Sequence, residues 1–295
     1  MIKNRLIRVL AMTMAFAMVM AMAGCVQEPP KVQEPTGDAI VAHTVKVVNR
    51  GGTAMSKCRV QIYTDATKTT QIYQGVANTA GEITFAAPSS DEYVAVISKL
   101  PKGYRVEEQY ALTGERTDIV LVPGVMDETV MDNTVFSLGD AMPDFELTLP
   151  DGSELKLSDL LSEKKAVVLN FWFMNCPPCK MEFPYIQEGY EQLSDDIAVL
   201  AMNPVDSTAA EVAKFQADNG YTFTMSKSDP RWQQMFEIKG FPTTVVIDRY
   251  SNICLIHTGG IESTQEFLDM INYFIQDDYE QNFFKSAGQI PAVND

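Results

Sequence analysis

Histidine is nearly absent from the 295 residues: His43 and His257 are the only two, which argues against a His-rich metal site. Cysteine is scarce as well. Five residues are too few, and odd in number, for a disulfide scaffold. Positive charge is also in short supply, with 23 Lys and Arg against 39 Asp and Glu and a net charge of −16. Nucleic-acid binding rests on Lys and Arg set against phosphate, so that class of function is set aside. The same acidity repels anionic headgroups, so any membrane association needs an anchor rather than a basic patch. No apolar run reaches the roughly 20 residues of a spanning helix. What is present, 46% hydrophobic and 21% charged residues, is the balance of a folded chain. The length suggests about two domains.

Lys3, Arg5 and Arg8 precede an apolar run over residues 9–23, interrupted only by Thr13. A positive start, a short apolar run and small residues at its end read as a signal peptide over residues 1–24. The junction Met22-Ala23-Gly24-Cys25 resembles a bacterial lipobox, with Met22 where Leu is usual. The resemblance implies cleavage before Cys25, lipidation of its thiol, and a place on the outer face of the bacterial cell membrane. An ordinary signal peptide with an incidental Cys is the alternative. Residues 25–42 carry Pro29, Pro30 and Pro35 among polar residues and read as an extended tether.

From 43 to 122 the pattern is short alternating runs, at 44–48, 57–63, 82–85, 93–98 and 117–122. Turn residues at Gly51-Gly52, 78–81 and 101–103 separate them. Such spacing predicts an all-β sandwich. Cys58, Val60 and Ile62 share one face and Arg59 and Gln61 the other, so Cys58 is expected to be a buried small hydrophobe. The runs 78–85, 93–96 and Pro101-Lys102-Gly103-Tyr104 resemble Cna-B/transthyretin-like domains. Ile97 stands where crosslinking Cna-B members carry a carboxylate. The domain reads as a spacer or docking module. Residues 123–139, polar and without a clear period, read as a linker.

The second domain, 140–276, changes pattern. An apolar run at 166–172 suits a strand covered on both faces. Cys176-Pro177-Pro178-Cys179 follows. Cys179, Phe183, Ile186, Tyr190 and Leu193 then recur at helical spacing. Strands are expected at 197–202, 243–248 and 253–257. Thr208 with Glu211, and Ser263 with Glu266, read as capping boxes that open two more helices, the first ending at Asn219-Gly220. This order is that of an α/β thioredoxin fold, with a mixed central sheet flanked by helices. Residues 277–295 form an acidic tail.

A CxxC beside a βαβ pattern is a redox signal. Cys176 falls just before a helix, where free N–H groups and the dipole favour a thiolate, and Pro177 suits the first helical position. This predicts Cys176 as an exposed nucleophile and Cys179 as a sheltered resolving thiol. Half of a zinc site is one alternative, but no second CxxC or Cys/His pair accompanies it. A purely structural disulfide is another. Cys254, in an apolar strand, reads as a buried inert thiol, with a Cys58–Cys254 bridge between the domains as the alternative.

Val168-Leu169-Asn170-Phe171-Trp172, the Cys176–Pro184 segment and Gly240-Phe241-Pro242-Thr243-Thr244 together resemble the TlpA/ResA-like thiol–disulfide oxidoreductases over residues 136–276. Asn175 departs from the family's usual Trp. The resemblance implies that Pro242 is the cis-proline facing the CxxC and that Glu182 is the active-site acid. Asn170 stands where many thioredoxins keep a buried acid. Glu182 lies three residues beyond Cys179 and so near it on a helix. There it can accept the Cys179 proton during attack on a mixed disulfide; a solvated helix acid is the plain alternative.

No cofactor or metal is called for. A Pro-Pro dipeptide without His or Lys, in a very acidic chain, keeps the Cys176 pKa from falling far. The expected potential is therefore nearer thioredoxin's, about −270 mV, than an oxidase's, about −120 mV. That favours a reductase of oxidised exported proteins, recharged by a membrane electron donor. Apocytochrome c and a methionine sulfoxide reductase are among the client classes. Two other functions compete. One is a binding lipoprotein with a vestigial dithiol. The other is a thiol peroxidase, whose Pro-x-x-x-Thr/Ser-x-x-Cys signature is missing, since no Thr or Ser lies between Trp172 and Cys176. The sandwich and the redox domain are expected to fold independently.

Overall fold

The structure, a computed structural model, describes residues 39–89 and 91–276. The expected signal peptide, Cys25, most of the tether and the tail 277–295 lie outside the described residues. No helix among the described residues is long and apolar enough to cross a membrane.

The first half is built of strands β1 (Ile40–Asn49), β2 (Arg59–Tyr63), β3 (Gln71–Val76), β4 (Glu82–Pro88), β5 (Tyr93–Lys99), β6 (Tyr104–Arg105), β7 (Tyr110–Leu112) and β8 (Arg116–Pro123). They form two four-stranded sheets, ordered β4-β1-β8-β6 and β3-β2-β5-β7. Val45, Val47 and Leu121 of the first sheet meet Val60, Ile62 and Ala95 of the second in one core. Cys58 belongs to that core, and burial pushes its thiol up to about 11. Lys57 has φ 64, a left-handed turn conformation, so β2 begins at Arg59 rather than at 57. Sequence pattern misses β3 because most of its side chains are exposed, and β6 and β7 because they are two and three residues long.

The expected linker is structured. Its helix α1 (Glu128–Asn133) is capped by Asp127, which accepts from the Val130 amide at 2.8 Å. Arg231 bridges Glu128 and Asp132 from the second half. Phe136 is buried in the same cluster as Met142 and Trp232. At six residues α1 is too short to show a period, so only its cap is written in the sequence.

The second half opens with the hairpin β9 (Glu146–Thr148) and β10 (Glu154–Lys156) and helix α2 (Leu157–Glu163). It continues with β11 (Ala166–Phe171), α3 (Pro177–Leu193), β12 (Ile197–Asn203), α4 (Ala209–Asn219), β13 (Thr224–Lys227), α5 (Arg231–Met235), β14 (Thr243–Asp248), β15 (Ile253–Thr258) and α6 (Thr264–Asn272). The sheet order is β13-β12-β11-β14-β15. β11, β12 and β13 run parallel, while β14 opposes β11 and β15 opposes β14. This is a thioredoxin-like mixed sheet.

Successive residues of β11 serve opposite cores. Val168 packs with Phe183 of α3 and Phe267 of α6, and Val167 and Leu169 pack with Trp232 and Leu157. Coverage on both faces explains the unbroken apolar run. A Cβ at Gly189 would run into the Phe267 ring, so a side chain there would push α3 off α6. Thr208 and Glu211 form the expected capping box. Ser263 caps α6, but the Glu266 carboxylate accepts from the Glu262 amide instead of closing the box.

The halves meet along a polar seam rather than as separate bodies. Asn252 is buried, donates to the Asp248 carboxylate at 2.9 and 3.1 Å, and accepts from the Asn49 side chain at 3.2 Å and the Tyr104 hydroxyl at 2.7 Å. Gly103, at φ 79, lets its backbone lie against the Ala141 carbonyl, where a Cβ would overlap.

Candidate redox site

The redox pair sits where β11 gives way to α3. Cys176 is the N-cap of α3, and the helix opens with Pro177 and Pro178. Neither proline has an N–H, so the first amide of the helix free to donate is that of Cys179. It donates to Cys176 Sγ at 3.2 Å. The two sulfurs are joined as a disulfide.

Burial differs from the sequence expectation. Cys176 is only 1% exposed, hardly more than Cys179 at 0%. As an N-cap, its side chain folds back over the first turn toward the Cys179 amide. That carries the sulfur into the cluster of Trp172, Phe183 and Ile261 instead of out to solvent.

Glu182 is 0% exposed and so is no solvated helix acid. One carboxylate oxygen accepts from Asn170 Nδ2 at 2.8 Å and the other from the Ile261 amide at 2.9 Å. Burial pushes its pKa up to about 7 against the pull of these two hydrogen bonds, and the Glu266 charge adds to the rise. Asn170, on β11, also donates to Thr244 Oγ1 at 3.2 Å, while its own Oδ1 is buried without a partner. Turning the amide over presents that oxygen to a protonated Glu182.

Pro242 follows a cis Phe241-Pro242 bond. Phe171 of β11 is registered with Thr243 of β14, which brings Phe241 and Pro242 to the strand end that launches the redox loop. The Phe241 ring meets Phe173 of that loop edge-on, centroids 5.3 Å apart. Sequence reasoning missed a further support, Asp206 in the β12–α4 loop. It accepts from the Met174 amide at 3.0 Å, two residues before Cys176, and from Asn203 and Ser207 side chains. Desolvation opposes its ionisation, but these bonds hold it below the usual carboxylate range. The Asn203-Pro-Val-Asp206-Ser run carried the signal, as a cluster of turn formers after a strand.

Cys58 and Cys254 are free and buried, so no bridge joins the halves. Burial raises the Cys254 thiol far above its ordinary value, and it donates to the Val246 carbonyl. No group of three or more His, Cys, Asp or Glu among the described residues could hold a metal.

A CxxC disulfide at a helix start, on a mixed sheet beside a cis-proline, defines a thioredoxin-like dithiol–disulfide site. Comparison with the sequences of known proteins agrees. The AhpC/TSA family matches residues 138–255, less than half of the chain. The ResA thiol–disulfide oxidoreductase of Oceanobacillus iheyensis is 32% identical over 151 residues, 50% of this chain and 75% of that protein. ResA of Geobacillus kaustophilus is 34% identical over 131 residues, 43% and 73% of the two chains. A thioredoxin-family thiol:disulfide interchange protein of Chlorobium tepidum aligns in three dimensions at a TM-score of 0.41 with 20% identity, covering 48% of this chain and 100% of that one. The chain belongs to the ResA family of thiol–disulfide oxidoreductases, and that is its enzyme class.

The raised pKa of Glu182 has a stability signature. Its folded value, about 7, lies above the ordinary 4.5, so ionisation works against the fold. The penalty is absent below pH 4.5, grows between 4.5 and 7, and is complete above 7. Glu182→Gln stays neutral throughout. Its stability relative to wild type should therefore rise over that window, by on the order of 3 kcal/mol, and level off above it. Urea denaturation of the oxidised proteins at acid and alkaline pH reads this directly. A difference that does not change with pH would mean that Glu182 ionises as a solvated acid does.

Proposed function

We propose that this oxidoreductase is a lipid-anchored reductase of disulfides in exported proteins, working through Cys176 and Cys179 with Glu182 as the proton acceptor. The observation that carries the proposal is the buried Glu182 one turn beyond Cys179, with a pKa near neutrality. A general base is most effective when its pKa lies near the working pH.

The Cys176 thiolate attacks a client disulfide. One client sulfur leaves as thiolate, and a mixed disulfide forms at Cys176. Cys179 then gives its proton to Glu182 and attacks Cys176 Sγ, releasing the second client sulfur and leaving the Cys176–Cys179 disulfide. An electron donor in the membrane returns the pair to the dithiol. Pro242 and Phe241 form the edge on which a client strand lies. Because Pro177 and Pro178 leave one amide for the Cys176 sulfur, the thiolate is stabilised modestly, and a reducing potential follows. Apocytochrome c and a methionine sulfoxide reductase are fitting clients.

In this proposal residues 1–24 are a signal peptide, Cys25 carries the lipid, and 25–42 tether the protein to the outer face of the membrane. Residues 43–122 form a Cna-B/transthyretin-like sandwich, 123–139 the connection, 140–276 the redox domain and 277–295 an acidic tail. The AhpC/TSA match favours a second reading, a thiol peroxidase. Insulin reduction without peroxide consumption supports the first, and the reverse supports the second.

Glu182→Gln keeps the size of the side chain but removes the base. Attack by Cys176 should proceed at nearly the wild-type rate, while resolution by Cys179 slows about 10²–10⁴-fold and the mixed disulfide accumulates. Stopped-flow measurement of both steps checks this, and equal resolution rates would remove Glu182 from the mechanism. For the anchor, Cys25→Ser should shift the protein from the membrane to the soluble fraction; retention of that variant in the membrane contradicts lipidation there.

A further inference from the structure

The seam between the two halves holds a cleft of about 370 Å³. Three arginines line it, which is unexpected in a chain of net charge −16: Arg50 just after β1, Arg105 on β6, and Arg249 in the β14–β15 turn. Elsewhere Arg116 and Arg231 are neutralised by carboxylates, Glu82 and Asp118 for the first and Glu128, Asp132 and Asp229 for the second. The cleft arginines are not. Arg50 and Arg249 have no carboxylate partner among the described residues. Arg105 has only Glu107 at 3.6 Å, with both side chains more than 60% exposed. An ion pair so open to water holds its guanidinium weakly.

Arg249 is the most informative of the three. One of its terminal nitrogens donates to the Gln276 carbonyl at 2.8 Å, but its Nε is buried with no acceptor. A buried donor on a charged group is costly to leave unmet, and a small turn of the Arg249 side chain into the cleft would let a bound oxyanion supply the missing acceptor. The one acid in the lining, Asp144, is engaged with the Ser158 amide at 2.8 Å. Three cations against one carboxylate leave an excess that a doubly charged anion neutralises. The rest of the lining includes Val122, Pro123, Leu157 and Leu161, which suit an apolar body, and the volume exceeds what a bare phosphate fills.

We propose that this cleft binds a small organic phosphate monoester, with its phosphoryl oxygens on Arg50 and Arg249 and its carbon skeleton along the wall formed by Pro123, Leu157 and Leu161. A phosphate monoester carries about −1.5 to −2 at neutral pH, and its oxygens match the guanidinium fork. Residues from both halves line the cleft, so the ligand bridges the seam that Asn252 closes. The site is separate from the dithiol, and its test does not depend on redox activity.

Calorimetric titration of the full oxidised chain with phenyl phosphate, inorganic phosphate and benzoate tests the proposal. Phenyl phosphate should bind saturably, one per chain, and more tightly than either other probe. Arg249→Gln and, on the exposed side, Arg50→Gln should each weaken it at least about tenfold while melting as the parent does without ligand. Absence of saturable binding at millimolar phenyl phosphate overturns the site, as does unchanged affinity in Arg50→Gln. Inorganic phosphate binding as tightly as phenyl phosphate overturns the organic body, and benzoate binding as tightly overturns the divalent head.

Discussion

Two adjacent prolines determine where α3 starts and what its first turn can offer. Pro177 and Pro178 accept helical geometry but bring no amide hydrogen, so the donor left at the mouth of the helix is the Cys179 N–H. It finds the Cys176 sulfur. Once α3 starts at Pro177, its periodicity turns Cys179, Glu182, Phe183 and Ile186 inward against the sheet. A carboxylate thereby joins an apolar face. It is held there by Asn170 from β11 and by the Ile261 amide just before α6. The dithiol and the acid are thus set by one helix start, and the acid's pKa follows from its burial.

Such a carboxylate weakens the fold at neutral pH, because an ionised group away from water is poorly solvated. In the proposed mechanism its retention makes sense through the proton it takes from Cys179. That thiol is as buried as the acid, and burial raises thiol pKa values, as Cys58 illustrates at about 11. A buried thiol needs a nearby acceptor to become a nucleophile. Asn170, with one donor on Glu182 and a free acceptor beside it, can serve the acid in either protonation state.

Much of this was legible in the sequence, for physical reasons. The CxxC, the doubly covered strand at 166–171 and the stripe on α3 are local patterns, and local patterns survive into the fold. Pro242 was readable only through family resemblance, because a cis bond leaves no mark on composition. Other features depend on meetings between distant segments. The burial of Cys176 follows from its side chain turning back over the first turn of α3 to join the buried Cys179. The seam at Asn252 needs Asn49 and Tyr104, far away in sequence, and the arginine cleft gathers three residues that no spacing connects. α1 and β3 were missed because a six-residue helix and an exposed edge strand carry almost no hydrophobic period.

The central claim is that the two cysteines are electrostatically unequal because of where α3 begins. Titration of the reduced protein by thiolate absorbance, with Cys176→Ser and Cys179→Ser to assign the two steps, tests it most directly. The account predicts that Cys176 ionises below the free-thiol value of about 8.5 and Cys179 above it. A Cys176 that ionises at or above the free value, or two cysteines that titrate together, would contradict it.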